Sequence, residues 1–166
     1  MSGFSLRHGV VGLIALLGGC AAAPPADNAN DNTVDNRVSF SAIVDAAQQV
    51  DFVDSPAVGS ATLMLNAAQS ELTYDISATG LTASVVGVHF HHGAAGQNGP
   101  IIADLSATVV SNEGGSARIM GVWRTIRPED LELLLAEELY INIHTVNYRG
   151  GEARGQIIRI VPVEME

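Results

Sequence analysis

From Arg37 onward, apolar residues recur at every second position, and this alternation constrains the chain more than any other feature. A period of two places successive side chains on opposite faces of an extended backbone, so each run has one face to bury. Val38, Phe40, Ala42 and Val44 share a face of the first run. Gly59, Ala61, Leu63 and Leu65 do so in a second, and Leu72, Tyr74, Ile76 and Ala78 in a third, closed by Thr79-Gly80. Val86, Val88 and Phe90 mark the core face of a fourth. After a glycine-rich loop at 93–100, residues 101–105 and 108–111 continue the pattern, and Asn112-Glu113-Gly114-Gly115 predicts a hairpin turn before 117–124. Residues 139–145 and 152–163 finish it, separated by the tight turn Tyr148-Arg149-Gly150-Gly151. Short strands at this spacing predict an all-β antiparallel sandwich. One segment departs from it. At 128–138 a proline stands at a first helical position, Glu129 and Asp130 follow where the helix dipole favours acid, and Leu131, Leu134 and Leu135 fall at i, i+3 and i+4. This predicts one short crossover helix with its leucines in the core.

The segment before Arg37 has a different character. Arg7 is the one formally charged side chain ahead of an apolar run from Val10 to Leu17, which ends in Leu17-Gly18-Gly19-Cys20. The run is shorter than the roughly 20 residues a membrane span takes, so residues 1–19 are expected to be an export signal. The small-small-cysteine ending resembles a bacterial lipobox, which implies lipid modification at Cys20. The following Ala21 lacks the inner-membrane retention aspartate, which implies the periplasmic side of the outer membrane. Residues 20–36, rich in Ala, Pro, Asn and Asp, bury too little to offset their ordering entropy and are expected to be a flexible tether to a domain at 37–166.

Charge and cysteine content exclude several functions. Eight basic residues, all arginine, stand against eighteen acidic ones for a net charge of -10, so the basic footprint of a nucleic-acid binder is missing. A single cysteine excludes an internal disulfide framework and a zinc ribbon.

Four histidines fall in the predicted domain: His89, His91 and His92 in Gly87-Val88-His89-Phe90-His91-His92-Gly93, and His144 in Ile141-Asn142-Ile143-His144-Thr145. Alternation points His89 and His91 the same way, roughly 6.6 Å apart along the strand. Ile141 and Ile143 take the core face of the later strand, leaving Asn142 and His144 on the other. If the two strands are neighbours, three imidazoles converge. Such a set suits a late first-row metal, copper or zinc; the bland alternative is histidines satisfied by backbone carbonyls and water. With no cysteine nearby, a thiolate copper centre is excluded. His92, Met64 and Met120 are candidate additional ligands, the two methionines also reading as core residues. Asn142, Tyr140, Glu152 and Arg154 are candidates around the site, with Glu152 and Arg154 expected on one strand face as an ion pair beside Asn142 or as a solvated pair.

Phe40-Ser41-Ala42, Gln48-Gln49-Val50, Gly59-Ser60-Ala61, Leu72-Thr73-Tyr74-Asp75-Ile76 and Gly80-Leu81 resemble the opening of a CHRD domain, the module named for chordin. Val88-His89-Phe90-His91-His92-Gly93-Ala94 with Gly96-Gln97-Asn98-Gly99-Pro100 is similar to that family's histidine motif and Gly-Pro loop. Leu139-Tyr140-Ile141-Asn142-Ile143-His144-Thr145 and Gly151-Glu152-Ala153-Arg154-Gly155-Gln156-Ile157 are similar to its C-terminal signature. The resemblance implies an immunoglobulin-like sandwich and, in chordin-like proteins, a structural or interaction role. The His-x-His strand also resembles the copper strand of copper/zinc superoxide dismutases, with His89 and His91 matching the pair and His144 a third ligand by strand context. Counterparts of the dismutase zinc ligands, bridging histidine and arginine loop are missing, so dismutase activity is not expected. The expected function is copper binding, storage or transfer by a lipid-anchored periplasmic protein, zinc being the lesser expectation; the alternative is a metal-free structural or interaction module with an envelope protein partner.

Overall fold

The computed structural model describes residues 36–161. Contacts divide the chain into residues 1–33 and 34–166. The expected signal, Cys20 and all but the last tether residue lie outside the described residues, as do 162–166. Among the described residues, the strands are β1 (Val38–Asp45), β2 (Val58–Leu65), β3 (Glu71–Thr79), β4 (Val85–His92), β5 (Ile101–Asp104), β6 (Val109–Glu113), β7 (Ser116–Arg124), β8 (Leu139–Thr145), β9 (Ala153–Gln156) and β10 (Ile158–Arg159). The helix α1 (Pro128–Leu135) lies between β7 and β8.

All pairings are antiparallel, in the order β5-β4-β8-β9-β1-β2-β3-β7-β6, with β10 also beside β1. β1 joins the other half through Asp45 with Arg154 of β9 and through Phe40 with Arg159 and Ser41 with Ile158 of β10. The sheet folds over there, so that β4 faces β3 and β7. Phe90 crosses the interior, its ring 5.5 Å from Tyr74 edge-on and 5.7 Å from Trp123. The period-two faces supply the core: Phe40, Ala42 and Val44 from β1, Leu63 and Leu65 from β2, Leu72, Tyr74 and Ile76 from β3, and Ile141 and Ile143 from β8 are all buried. The predicted all-β sandwich is the observed architecture, and α1 carries the chain from β7 across to β8.

Local departures have physical reasons. A bulge between Val85 and Gly87 adds a residue to β4 and reverses its alternation, so Val85 faces the core and Val86, expected inside, is exposed. Met64 and Met120 are not core residues, each being 41% exposed. Their strand neighbours Leu63, Leu65 and Ile119 occupy the inward positions, and Arg37 donates to the Met64 sulfur. The last strand is two pieces, β9 and β10, interrupted at buried Ile157. The helix stops at Leu135 because Glu137 adopts a left-handed φ of 61°, with the Glu137 amide bonding to the Leu134 carbonyl and the Glu138 amide to that of Leu133. Leu134 is fully buried, while Leu131 and Leu135 pack partly buried against the core.

The hairpin between β6 and β7 turns on two residues, Gly114 and Gly115, with φ of 60° and 74°. Asn112 and Glu113, expected in the turn, belong to β6, and the Asn112 side chain bonds to the Val85 backbone on both its N–H and C=O. A Cβ at Gly115 would lie 2.8 Å from the Leu81 carbonyl, adding a clash to the left-handed cost of roughly 1–2 kcal/mol. Gly115→Ala is therefore expected to lower the midpoint of chemical unfolding more than Gly114→Ala, whose Cβ meets open space. Equal losses would remove the Leu81 contact from this account.

Candidate metal centre

β4 and β8 are neighbours, and their register sets Gly87 opposite His144, His89 opposite Asn142 and His91 opposite Tyr140. The His89 and His144 rings meet above Gly87, where a Cβ would lie 3.2 Å from His89 Cε1 and 3.6 Å from His144 Cδ2. His89 Nδ1 stands 3.0 Å from His144 Nε2. One ring nitrogen from each of His89, His91 and His144 lies within 4.8 Å of the others. Imidazoles sharing an ion at roughly 2.0–2.1 Å have nitrogens about 3–3.5 Å apart, so small ring rotations close the set.

Hydrogen bonds define which nitrogens are free. His91 Nδ1 donates to the Gly99 carbonyl at 2.9 Å, and His144 Nδ1 donates to that of Arg149 at 2.9 Å. Both rings thus keep Nε2 unprotonated, as an acceptor. His144 Nε2 accepts from His89 Nδ1–H. His91 Nε2 is buried with no hydrogen-bond partner among the described residues. Burial pushes the pKa values of His91 and His144 down; neighbouring histidines add to this in both, and Arg154 does so in His91, against the opposing effect of the two carbonyls. Burial thus favours the neutral form of both rings, the form competent as a ligand.

Asp104 on β5 pairs with His89 across the β4–β5 ladder and places its carboxylate 3.6 Å from His89 Nε2. Hydrogen bonds from the Ser106 hydroxyl and amide hold the Asp104 carboxyl below the ordinary carboxylate range. A carboxylate there can accept the Nε2–H of His89 once its Nδ1 turns to an ion. Nothing in the sequence signalled Asp104, since its reach depends on the β4–β5 register; Gly87, two residues before His89, was the other unread participant.

The remaining candidates separate. His92 lies at the end of β4 with Nε2 3.4 Å from a Glu138 carboxylate oxygen, outside the three-histidine group. Met64 and Met120 sit on the outward faces of β2 and β7, also outside it. Tyr140 stacks on His91, ring centroids 5.0 Å apart and planes 14° from parallel. Asn142 is buried and ties two loops, accepting from Gln49 and donating to the Gly150 carbonyl.

Glu152 and Arg154 form neither an ion pair nor a solvated face. Both are buried, because the loops around 48–55 and 93–100 cover this side of β9. Glu152 accepts from Ser55 Oγ at 2.6 Å, the Thr82 amide at 2.7 Å and Thr145 Oγ1 at 2.5 Å. Arg154 donates to the carbonyls of Gln97 and Ala94 instead.

The CHRD domain pattern matches residues 40–157, from β1 through the histidine strands to the end of β9. The chain belongs to the CHRD domain family. It is also similar to chordin of Xenopus laevis, 31% identical over 102 residues, which cover 61% of this chain and 10% of chordin. In this CHRD domain, the histidine motif lies on β4 and the C-terminal signature on β8 and β9, and β4 and β8 carry the three histidines of the candidate centre.

The buried carboxylate gives the CHRD domain an acid-sensitive lock. Burial alone raises the Glu152 carboxyl, but donations from Ser55, Thr145 and Thr82 outweigh it and hold the group below the ordinary glutamate value of 4.5. The folded state thus binds this proton less readily than the unfolded chain. Its contribution to stability is full above about pH 4.5 and is lost as pH falls through the depressed folded value. Melting temperatures between pH 6 and 3 are expected to fall more steeply in the native protein than in Glu152→Gln; parallel curves would show that Glu152 contributes no such lock.

Proposed function

We propose that this CHRD domain binds one late first-row metal ion through His89, His91 and His144, and that the ion is copper in preference to zinc. Binding, storage or transfer of copper is the function these residues support best. The observation that carries the reading is the buried His91 Nε2, an acceptor with no partner, beside two other imidazoles. A buried polar atom left unpaired costs roughly 1–3 kcal/mol, a cost that coordination removes. Three imidazole nitrogens suit both metals, and at a given nitrogen set divalent copper binds more tightly than zinc.

Titration of metal-free protein with Cu(II) and Zn(II) tests this, read by calorimetry and thermal unfolding. One equivalent of copper is expected, with a rise in melting temperature, since an ion at a hundred times its Kd stabilises the native state by about 2.7 kcal/mol. Sub-stoichiometric copper and an unmoved melting temperature would overturn it.

The cellular setting is part of the proposal. Residues 1–19 would direct export and Cys20 would carry lipid, holding the domain by the 20–36 tether at the periplasmic face of the outer membrane. In a bacterial host, labelled palmitate is expected in the full-length protein and not in Cys20→Ser, and the variant is expected to leave the membrane fraction. Label retained in Cys20→Ser would contradict the anchor.

A further inference from the structure

Arg154 is 1% exposed, and its guanidinium has no carboxylate partner among the described residues, the Glu152 oxygens being taken by Ser55, Thr82 and Thr145. A charge buried this way is held only where its donors are met by well-placed acceptors. Those acceptors lie chiefly on one loop. Nη1 donates to the Gln97 carbonyl at 2.8 Å and reaches Asn98 Oδ1 at 3.4 Å, and Nη2 donates to the Ala94 carbonyl at 2.9 Å. The guanidinium carbon also lies 3.5 Å above the centre of the Tyr140 ring.

Both contacts lead to one histidine. The 93–100 loop carries Gly99, whose carbonyl accepts His91 Nδ1–H and whose amide donates to Tyr140 Oη at 3.2 Å. Tyr140 in turn stacks on the His91 ring. Gly99 has little freedom to relocate, because a Cβ there would fall 1.7 Å from the His92 carbonyl. Cation, tyrosine and imidazole form a stack, and the loop gripped by the cation supplies the hydrogen bond at the imidazole edge.

We infer that Arg154 is the positioning residue of the centre, clamping the 93–100 loop and Tyr140 so that His91 is held as the Nδ1–H tautomer with Nε2 presented bare. Its consequence for metal affinity rests on the function proposed above; the tautomer assignment does not. An outer partner of this kind is worth roughly 10–100-fold in affinity. A planar fork meeting four acceptors, the fourth being Gln156 Oε1 at 3.5 Å, while stacking on a ring is a task lysine cannot reproduce.

The test reads ring nitrogens by 15N–1H NMR in metal-free protein, comparing the native chain with Arg154→Met, Arg154→Lys and Tyr140→Phe. The native spectrum is expected to show His91 wholly as Nδ1–H. In Arg154→Met and Arg154→Lys, a second His91 tautomer appears and copper affinity falls at least tenfold. The tautomer of His144, held separately by Arg149, stays as it was, which separates loss of positioning from general loosening. Tyr140→Phe keeps the stack and removes the Gly99 tie, so it shows a smaller second population; it carries the test if the arginine variants do not fold. His91 wholly Nδ1–H in every folded variant, or His91 and His144 losing their tautomers together, would overturn the inference. A shift confined to His91 in a protein that takes up no copper would uphold the positioning role and refute the metal reading.

Discussion

Replacing His91 by alanine is expected to lower copper affinity more than about a hundredfold, beyond the 10–100-fold attributed to partners outside the coordination sphere. His91 is the one buried residue of the three, being 8% exposed, and its Nε2 has no hydrogen-bond partner among the described residues. The substitution leaves the Gly99 carbonyl without its donor, at about 1–3 kcal/mol, but also removes an unpaired buried nitrogen. The two effects oppose, so the melting temperature of the metal-free protein moves little while the copper-dependent rise disappears. His89→Ala and His144→Ala lose the rise in the same way. His92→Ala, outside the group and partnered with Glu138, keeps affinity within about twofold. Calorimetric titration of all four variants checks this, and a His92 effect equal to that of His91 would redraw the centre.

Phe90→Ala is expected to have the largest effect on folding, about 3–5 kcal/mol. Phe90 lies between His89 and His91 but points the other way, into the core, and is fully buried. Its contacts with Tyr74 and Trp123 join strands that are not neighbours in the sheet, so truncation opens the space between the two halves. Against a domain stability on the order of 5–15 kcal/mol this is a large fraction. The melting temperature of the variant should drop by about 10–20 °C, while the protein still folded at low temperature binds copper within a few-fold of native affinity. Loss of copper binding in well-folded Phe90→Ala would mean that core packing, and not strand alternation alone, sets the histidine geometry.

The opposite placement of Phe90 and its flanking histidines was legible from period two, as were the core faces of β1, β2, β3 and β8. Convergence of His89, His91 and His144 needed one further condition, that β4 and β8 pair, and alternation within a strand cannot supply a pairing between strands 55 residues apart in the chain. Met64 shows a composition cue losing to the same periodicity, since Leu63 and Leu65, already predicted inside, force it out, and Met120 is turned out in the same way by buried Ile119. The bulge before Gly87 was invisible because a one-residue insertion has no fixed sequence signature. Glu152 and Arg154 were misread for a different reason: alternation shows which face a side chain takes, and the loops that cover that face come from distant segments. The helix end at Leu135 lacked its usual glycine, with Glu137 taking the left-handed position instead.

The central claim is that one ion sits among three imidazoles on β4 and β8. Crystals grown after copper loading, with diffraction data collected on both sides of the copper absorption edge, test it most directly. The account predicts one anomalous peak at roughly 2.0–2.1 Å from nitrogens of His89, His91 and His144. A copper-loaded crystal with no peak there, or with its peak at His92 or at the methionines, would contradict it.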